Sequence, residues 1–243
     1  ETASPPTARR VISLAPHLAE LLYAAGAGDR LVAAVEFSDY PPMARDLPRV
    51  GNSSGFDFEA ILALKPDLIL AWRSGNPGAS IERMRRLGLT VHVSEISRLS
   101  EIPDLIEELG RLAGSEVQAR RVAGDFRVRY RKLEERYSSA APVLVFYQLI
   151  DDSLLTLNDR HLVSDAIRLC GGRNVFAGLP TLVAHVDMEA VLMADPRVMK
   201  AVMAAMSMPG KVSSFTVEQV EKIAKAMDLP SSGEMDDLKR QVR

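Results

Sequence analysis

The hydrophobic and polar positions of the chain follow two patterns, one typical of strands and one typical of helices. Apolar runs rich in β-branched residues predict strands in RRVISLA, LVAAVEF, DLILAW and TVHVSE. Apolar residues at helical spacing predict helices in HLAELLYAAG, FEAILAL, SIERMRRLG and LSEIPDLIEELGRLAG. Because strands and short helices alternate, the sequence predicts an α/β fold with mainly parallel sheets covered on both faces.

A single long helix is predicted over residues 115–139. Its apolar residues recur at steps of four and three and form one stripe, which consists of Ala119, Ala123, Phe126, Tyr130, Leu133 and Tyr137. Ser115 and Gln118 have the spacing of a capping box at its start. About 23 residues at a rise of 1.5 Å give a rod of roughly 35 Å. Such a rod is either a rigid spine between two α/β segments or an ordinary surface helix of a single domain.

The strand pattern restarts after this helix, and one short element then occurs for a second time. Residues 57–69 read DFEAILALKPDLI, and residues 187–199 read DMEAVLMADPRVM. Both begin D-x-E-A, so Glu59 and Glu189 occupy the same place in the two copies. Internal duplication of one α/β unit is the simplest interpretation, and chance similarity between two amphipathic helices is the alternative.

These patterns divide the chain into four segments. We expect a disordered leader over 1–9, an N-terminal α/β lobe over 10–114, a linker helix over 115–139 and a C-terminal α/β lobe over 140–243. The leader is polar and rich in proline, and the first residue is glutamate, so we expect a processed form from which a signal peptide has been removed. Residues 197–243 are rich in methionine and alanine and predict a divergent, helical tail where strands are expected.

Composition excludes several classes of function. A net charge of −2 without a long basic block argues against a nucleic-acid binder, and no apolar run reaches the roughly 18 residues of a membrane span. The glycines of AAGAGD lack the third glycine of a dinucleotide site, and no phosphate loop or G-x-S-x-G is present. The four histidines are scattered, and Cys170 is interpreted as a packed core residue. We therefore predict no catalytic and no metal-binding residues.

Aromatic residues make up only 5% of the chain, so their positions are informative. Trp72 closes the predicted strand DLILAW. Phe37 closes the predicted strand LVAAVEF, and Ser38 and Tyr40 follow it. Ligands of open parallel sheets bind beyond the carboxyl ends of the strands. The aromatic loops therefore indicate either a binding cleft or residues that cover the edge of the core.

Several segments together resemble the cobalamin-binding proteins of ABC importers. They are RVISLAPHLAELLYAAGAGDRLV, FSDYPP, FDFEAILALKPDLILAWRSGNP, the long helix and HLVSDAIRLCGGRNVF. These importer proteins belong to the helical-backbone class of periplasmic binding proteins, which also includes siderophore, haem and metal carriers. The resemblance runs from about Arg10 to Pro196. It implies two α/β lobes joined by one helix, with little hinge motion and with the ligand held between the lobes.

The resemblance also implies the ligand and the residues that bind it. It identifies the chain as similar to non-enzymatic periplasmic, or otherwise extracytoplasmic, carriers that are monomeric and need no cofactor. The expected ligand is cobalamin or a related corrinoid. The residues expected to bind it are Phe37, Ser38, Tyr40, Ser53 and Trp72. A carrier for a siderophore, haem or a metal is the first alternative. A two-lobed enzyme is the second, and no convergent acid, base or nucleophile favours it.

The repeated glutamates have two interpretations. Glu59 and Glu189 each fall in the first turn of a predicted helix, where the helix dipole by itself favours a carboxylate by about 0.3–1 kcal/mol. The resemblance implies a further role, in which each glutamate docks onto arginines of the permease dimer, one per lobe, without contacting the ligand. A two-fold symmetric permease presents two equivalent pockets, which matches two equivalent glutamates.

Overall fold

The computed structural model describes residues 7–52, 54–150 and 153–194. Ser53, one of the predicted ligand-binding residues, lies outside the described residues. So do residues 1–6 of the predicted leader and the predicted helical tail over 197–243. Of the remaining three leader residues, Ala8 is buried and its N–H donates to the carbonyl of Leu112, whereas Thr7 and Arg9 are exposed.

The elements follow the alternation that the sequence predicts. The strands are β1 (Val11–Ser13), β2 (Leu31–Ala34), β3 (Gly51–Asn52), β4 (Gly55–Phe56), β5 (Leu68–Trp72), β6 (Val91–Ser94), β7 (Val143–Val145), β8 (Leu155–Leu157), β9 (Gly172–Asn174) and β10 (Val183–His185). The helices are α1 (Pro16–Ala24), α2 (Phe58–Ala63), α3 (Gly78–Arg86), α4 (Ile102–Ala113), α5 (Glu116–Tyr137), α6 (Leu162–Leu169) and α7 (Met188–Ala194). The prediction of an α/β fold is confirmed.

A four-stranded parallel sheet with the order β2-β1-β5-β6 forms the centre of the N-terminal part. Its strands read as continuous apolar runs because both faces are covered. Val11, Leu68 and Leu70 pack against α1, α4 and α5 on one face. Ile12 and Ile69, which alternate with them, pack against α2 and α3 on the other face.

Helix α5 confirms the prediction of a long helix, but the predicted stripe is buried only over its first half. Ala119 and Ala123 are fully buried against α4, whereas Leu133 is 37% exposed. The first half is buried because small side chains let α4 and α5 approach closely. At Gly110, an added Cβ would lie 2.2 Å from the Cβ of Ala119.

The predicted capping box at the start of α5 is wrong. The Ser115 side chain makes no capping hydrogen bond, and its Oγ is buried without a hydrogen-bond partner among the described residues. Gly114 adopts a left-handed conformation with φ of 71°, and the Ser115 N–H donates to the carbonyl of Gly110. The chain therefore turns directly from α4 into α5, and Ser115 does not take the extended conformation usual for a capping serine. The amide oxygen of Gln118 instead accepts from Arg121 Nε at 3.2 Å.

The described chain divides into two compact units. Residues 7–145 and 157–182 belong to the first unit, and residues 146–156 and 183–194 belong to the second. The first unit also contains α6 and the parallel pair of β7 with β9. The lobe boundaries predicted from the sequence stay a prediction. Cys170 is exposed, so its interpretation as a core residue is wrong: it follows the last residue of α6 and faces solvent where the helix ends.

The close approach of α4 and α5 at Gly110 leads to a test of stability. We expect Gly110→Ala to lower the free energy of unfolding by about 1–3 kcal/mol, because the new methyl group overpacks a well-filled contact. Gly124→Ala is the matched control: Gly124 lies inside α5 with no atom within 4 Å of an added Cβ, so the same change should stabilise by roughly 0.5–1 kcal/mol. Urea unfolding monitored by circular dichroism measures both. Equal effects of the two changes would contradict the packing argument.

Candidate functional site

The carboxyl ends of β1 and β5 are neighbours at one edge of the parallel sheet, and the ligand crevice of an open α/β sheet is expected between such strand ends. The chain leaves β1 through α1, which packs on one face of the sheet, and leaves β5 towards α3, which packs on the opposite face. The two connections diverge at neighbouring strand ends, and ligands of open α/β sheets bind at such points. His17, in the first turn of α1, and Trp72, at the end of β5, flank this crevice.

Asn76 fixes the two sides of the crevice at a constant separation. Its Oδ1 accepts from the backbone N–H of Trp72 at 2.7 Å, and its Nδ2 donates to the carbonyl of Leu14 at 2.9 Å. Asn76 is only 7% exposed, so this amide replaces water at both strand ends. The Leu14 N–H donates to the carbonyl of Leu70, which continues the pairing of the strands. The end of β5 is thus tied to the segment that follows β1.

The indole of Trp72 is held on three sides. Its Nε1 donates to Glu95 Oε1 at 3.4 Å, and Glu95 also accepts from the backbone N–H and the Oγ of Ser74, both at 2.9 Å. Gly75 lies directly against the ring, because an added Cβ there would be 1.8 Å from Trp72 Cε3. The third contact is a T-shaped arrangement with His17, with ring centroids 5.2 Å apart and an interplanar angle of 86°. Trp72 is therefore half-buried in a fixed orientation.

Burial lowers the pKa of His17 below its ordinary value of 6.5, and the nearby carboxylate of Glu95 opposes this shift. Removing an imidazolium from water costs more than removing the neutral ring, and this cost exceeds the attraction of Glu95. His17 is therefore neutral at pH 7. A neutral imidazole and an indole together give this side of the crevice an apolar, aromatic wall.

A second aromatic group follows β2 on the same edge of the sheet. Phe37 has a left-handed backbone with φ of 65° and is 81% exposed, and Tyr40 is 65% exposed. A non-glycine residue with such a φ is uncommon, and exposure of a large apolar ring is itself unfavourable. Ser38 lies between them but is buried, and its Oγ has no hydrogen-bond partner among the described residues.

The structure thus brings Phe37, Tyr40 and Trp72 to one edge of the sheet, as the positions of the strand ends predict. Their binding roles, like that of Ser38, stay predictions. The sequence did not single out His17, Glu95 or Asn76. Glu95 directly follows β6, so it also lies beyond the carboxyl end of a strand of the parallel sheet. The position that indicated Trp72 as a candidate could therefore have indicated Glu95 as well.

The repeated D-x-E-A element has the same local structure in both copies. Asp57 Oδ1 accepts from the N–H of Ala60 at 2.9 Å, and Asp187 Oδ1 accepts from the N–H of Ala190 at 2.6 Å. Each aspartate therefore caps a helix, and the glutamate two residues later lies in the first turn. Glu59 of the first unit and Glu189 of the second unit are exposed. Neither forms an ion pair within residues 7–52, 54–150 and 153–194.

The described part of the chain contains no group of three or more His, Cys, Asp or Glu side chains that could hold a metal ion. None of its helices is both long enough and apolar enough to span a membrane.

Comparison with known proteins gives close relatives. A family model described as periplasmic binding protein matches residues 11–239. The vitamin B12-binding protein of Vibrio cholerae is 44% identical over 196 residues, which cover 81% of this chain and 71% of that protein. The protein of that name from Photorhabdus laumondii is 40% identical over 189 residues, 78% of this chain and 69% of that protein. The crystal structure of the periplasmic vitamin B12 binding protein BtuF of Vibrio cholerae matches with a TM-score of 0.75 and 44% identity, covering 79% of this chain and 76% of that one.

The contact between His17 and Trp72 predicts a pH-dependent fluorescence signal. Trp72 is the only tryptophan, and an imidazolium quenches indole emission more strongly than a neutral imidazole. We expect emission to fall as the pH is lowered from 7 to 5, with a midpoint below 6.5, because the pKa of His17 lies below that value. His17→Gln should abolish the step, whereas Glu95→Gln should retain it. A midpoint at or above 6.5, or a step that persists without His17, would show that the contact is assigned incorrectly.

Proposed function

The chain belongs to the periplasmic binding protein family, and on this premise we propose that it captures cobalamin or a related corrinoid. It is a periplasmic solute-binding protein and not an enzyme, and proteins of this family work with the permease of an ABC transporter. Its α/β fold is the two-lobed fold of the family, as the sequence predicts. The relatives from Vibrio cholerae and Photorhabdus laumondii are vitamin B12-binding proteins by name, which supports a corrinoid as the ligand.

One observation carries the proposal: contacts within the protein hold the half-buried indole of Trp72 in a fixed orientation at the carboxyl end of β5, next to that of β1. A corrin ring is a broad and largely apolar disc, and a rigid indole offers a large contact area at low entropic cost. Phe37 and Tyr40, exposed on the same edge, add apolar surface that an incoming disc can cover. Ser38 belongs to the proposed ligand-binding set, and its buried Oγ has no hydrogen-bond partner among the described residues. Ser53 completes the proposed set of ligand-binding residues.

We propose in addition that Glu59 and Glu189 bind the permease. Each carboxylate is exposed and unpaired among the described residues, so it retains its capacity to accept a bidentate pair from arginine. Their capping aspartates fix both helix starts in the same way, which gives one chain two anionic groups in equivalent local settings. A permease dimer with two-fold symmetry would present two equivalent basic sites to them.

Replacement of Trp72 tests the ligand site. Cyanocobalamin should quench the emission of the wild-type protein, and Trp72→Ala should weaken its binding by about 1–3 kcal/mol, the cost of removing a large aromatic anchor. Isothermal titration calorimetry measures the affinity of the variant for cyanocobalamin, because the variant has no tryptophan whose emission could follow binding. Val117→Ala is the control, because Val117 is a highly exposed apolar residue at the start of α5 and away from the carboxyl edge of the sheet. Tighter binding of haem than of cyanocobalamin, or unchanged affinity in Trp72→Ala, would refute the corrinoid site.

Replacement of the two glutamates tests docking. Glu59→Ala and Glu189→Ala should each weaken association with the permease roughly tenfold, the scale of losing one charge-assisted pair of about 1.4 kcal/mol, and the double variant should nearly abolish transport. Surface plasmon resonance with the permease in nanodiscs and uptake by proteoliposomes measure the two effects. Glu116→Ala removes another glutamate from the first turn of a helix and should leave both unchanged. A double variant that docks normally but loses cyanocobalamin would reverse the assignment.

A further inference from the structure

A positive side chain contacts the residue that precedes the proposed docking glutamate of the first unit. The guanidinium Cζ of Arg83, on α3, is 4.1 Å from the centroid of the Phe58 ring, and Phe58 directly precedes Glu59. A guanidinium over an aromatic face at this distance makes a cation–π contact. Phe58 is itself anchored, since its half-buried ring packs against the core beneath α2 and α3. The ring therefore holds the Arg83 guanidinium next to the first turn of α2.

Arg83 and Glu59 do not neutralise each other. Among the described residues, no ion pair joins them and neither has any other ionic partner, whereas the neighbouring Arg85 is paired with Glu82 at 2.7 Å. Both side chains are exposed. The carboxylate of Glu59 is free to accept hydrogen bonds, and the planar guanidinium of Arg83 is free to donate them in a fixed orientation. The start of α2 thus carries an exposed carboxylate, and the ring of the preceding residue holds an exposed guanidinium, and neither group has an ionic partner among the described residues.

We propose that Arg83 is a second docking determinant, which binds a carboxylate of the permease next to the arginine that binds Glu59. This inference rests on the proposed docking role of Glu59. The surface that fits the pair carries one basic and one acidic side chain at the same spacing. If the carrier bound the other way round, Glu59 would face the acidic side chain of the permease and Arg83 would face the basic one. Repulsion between like charges would disfavour that complex, so the two residues would determine the orientation of the carrier as well as its affinity.

The second copy of the repeated element lacks this feature. Met188 occupies the position that Phe58 occupies in the first copy, so no aromatic ring precedes Glu189 to hold a guanidinium. The two copies of the repeated element therefore share the glutamate and its capping aspartate, but among the described residues only the first copy has a guanidinium held against it. A permease contact that depends on Arg83 therefore accompanies Glu59 and has no counterpart at Glu189.

The test measures association of Arg83 variants with the permease in nanodiscs of neutral phosphatidylcholine. Arg83→Ala should weaken association about 3- to 10-fold, the range for a partly exposed charge pair of roughly 0.7–1.4 kcal/mol. Arg83→Glu should weaken it further, because the like charge then repels the carboxylate of the partner. Arg120→Glu is the matched control: it makes the same change of charge at an exposed arginine of α5 that has no ionic partner among the described residues, and should leave association within twofold.

The remaining measurements separate the possible outcomes. Cyanocobalamin binding, followed by Trp72 emission, should be unchanged in both Arg83 variants, which excludes a loss of folding as the cause. A loss seen only in nanodiscs that contain anionic lipid would mean that Arg83 contacts the membrane, and the inference would be wrong. If Glu59→Ala weakens association while Arg83→Glu does not, the inference alone fails. If neither variant weakens association, the docking role of Glu59 fails with it.

Discussion

The hydrogen bonds of a single buried amide hold the candidate site together. Asn76 links the backbone N–H of Trp72 to the carbonyl of Leu14, and thereby joins the ends of the two strands that diverge at the crevice. Without this link, two buried backbone groups would face each other across a gap without partners, which costs on the order of 1–3 kcal/mol each. The Trp72 indole, its bond to Glu95 and its contact with His17 all depend on the backbone position that the amide fixes. The aromatic wall is therefore a consequence of strand-end geometry.

The strands, the helices and the positions of the aromatic loops could be predicted because their signals are local. Leu68 and Ile69 point to opposite faces, and both faces are covered, so a short apolar run is sufficient to indicate a buried strand. The contacts of His17 could not be predicted in this way. Its distance from Trp72 depends on the pairing of β1 with β5, which no local pattern contains. The failed capping box has a related cause: the spacing of Ser115 and Gln118 is correct, but the packing of α4 on α5 determines the backbone conformation.

The repeated element combines a residue with a structural role and a residue with a proposed docking role. Its aspartate is explained by capping alone, since Asp57 and Asp187 both accept from an amide three residues later. The helix dipole also favours a glutamate in the first turn, so its presence alone is weak evidence for a role. Exposure without an ionic partner among the described residues is the stronger argument, because a purely structural charge gains little from remaining accessible. The position of Arg83 is consistent with a docking role for Glu59. Phe58, which precedes Glu59, holds the Arg83 guanidinium, and no ion pair joins Arg83 to Glu59.

In the proposed ligand site, the two aromatic groups of the sheet edge would contribute to binding in different ways. Trp72 is fixed by hydrogen bonds and by Gly75, so little side-chain entropy remains to be lost when a ligand covers it. Phe37 has an unfavourable backbone conformation and an exposed ring, and each of these features lowers the stability of the ligand-free protein. A ligand that covers Phe37 removes the cost of exposing its ring to water but leaves its unfavourable backbone conformation unchanged. The favourable free energy of binding would therefore come from apolar surface that is exposed in the free protein. The unfavourable backbone conformation of Phe37 is already present in the folded chain, so it does not weaken the binding of a ligand.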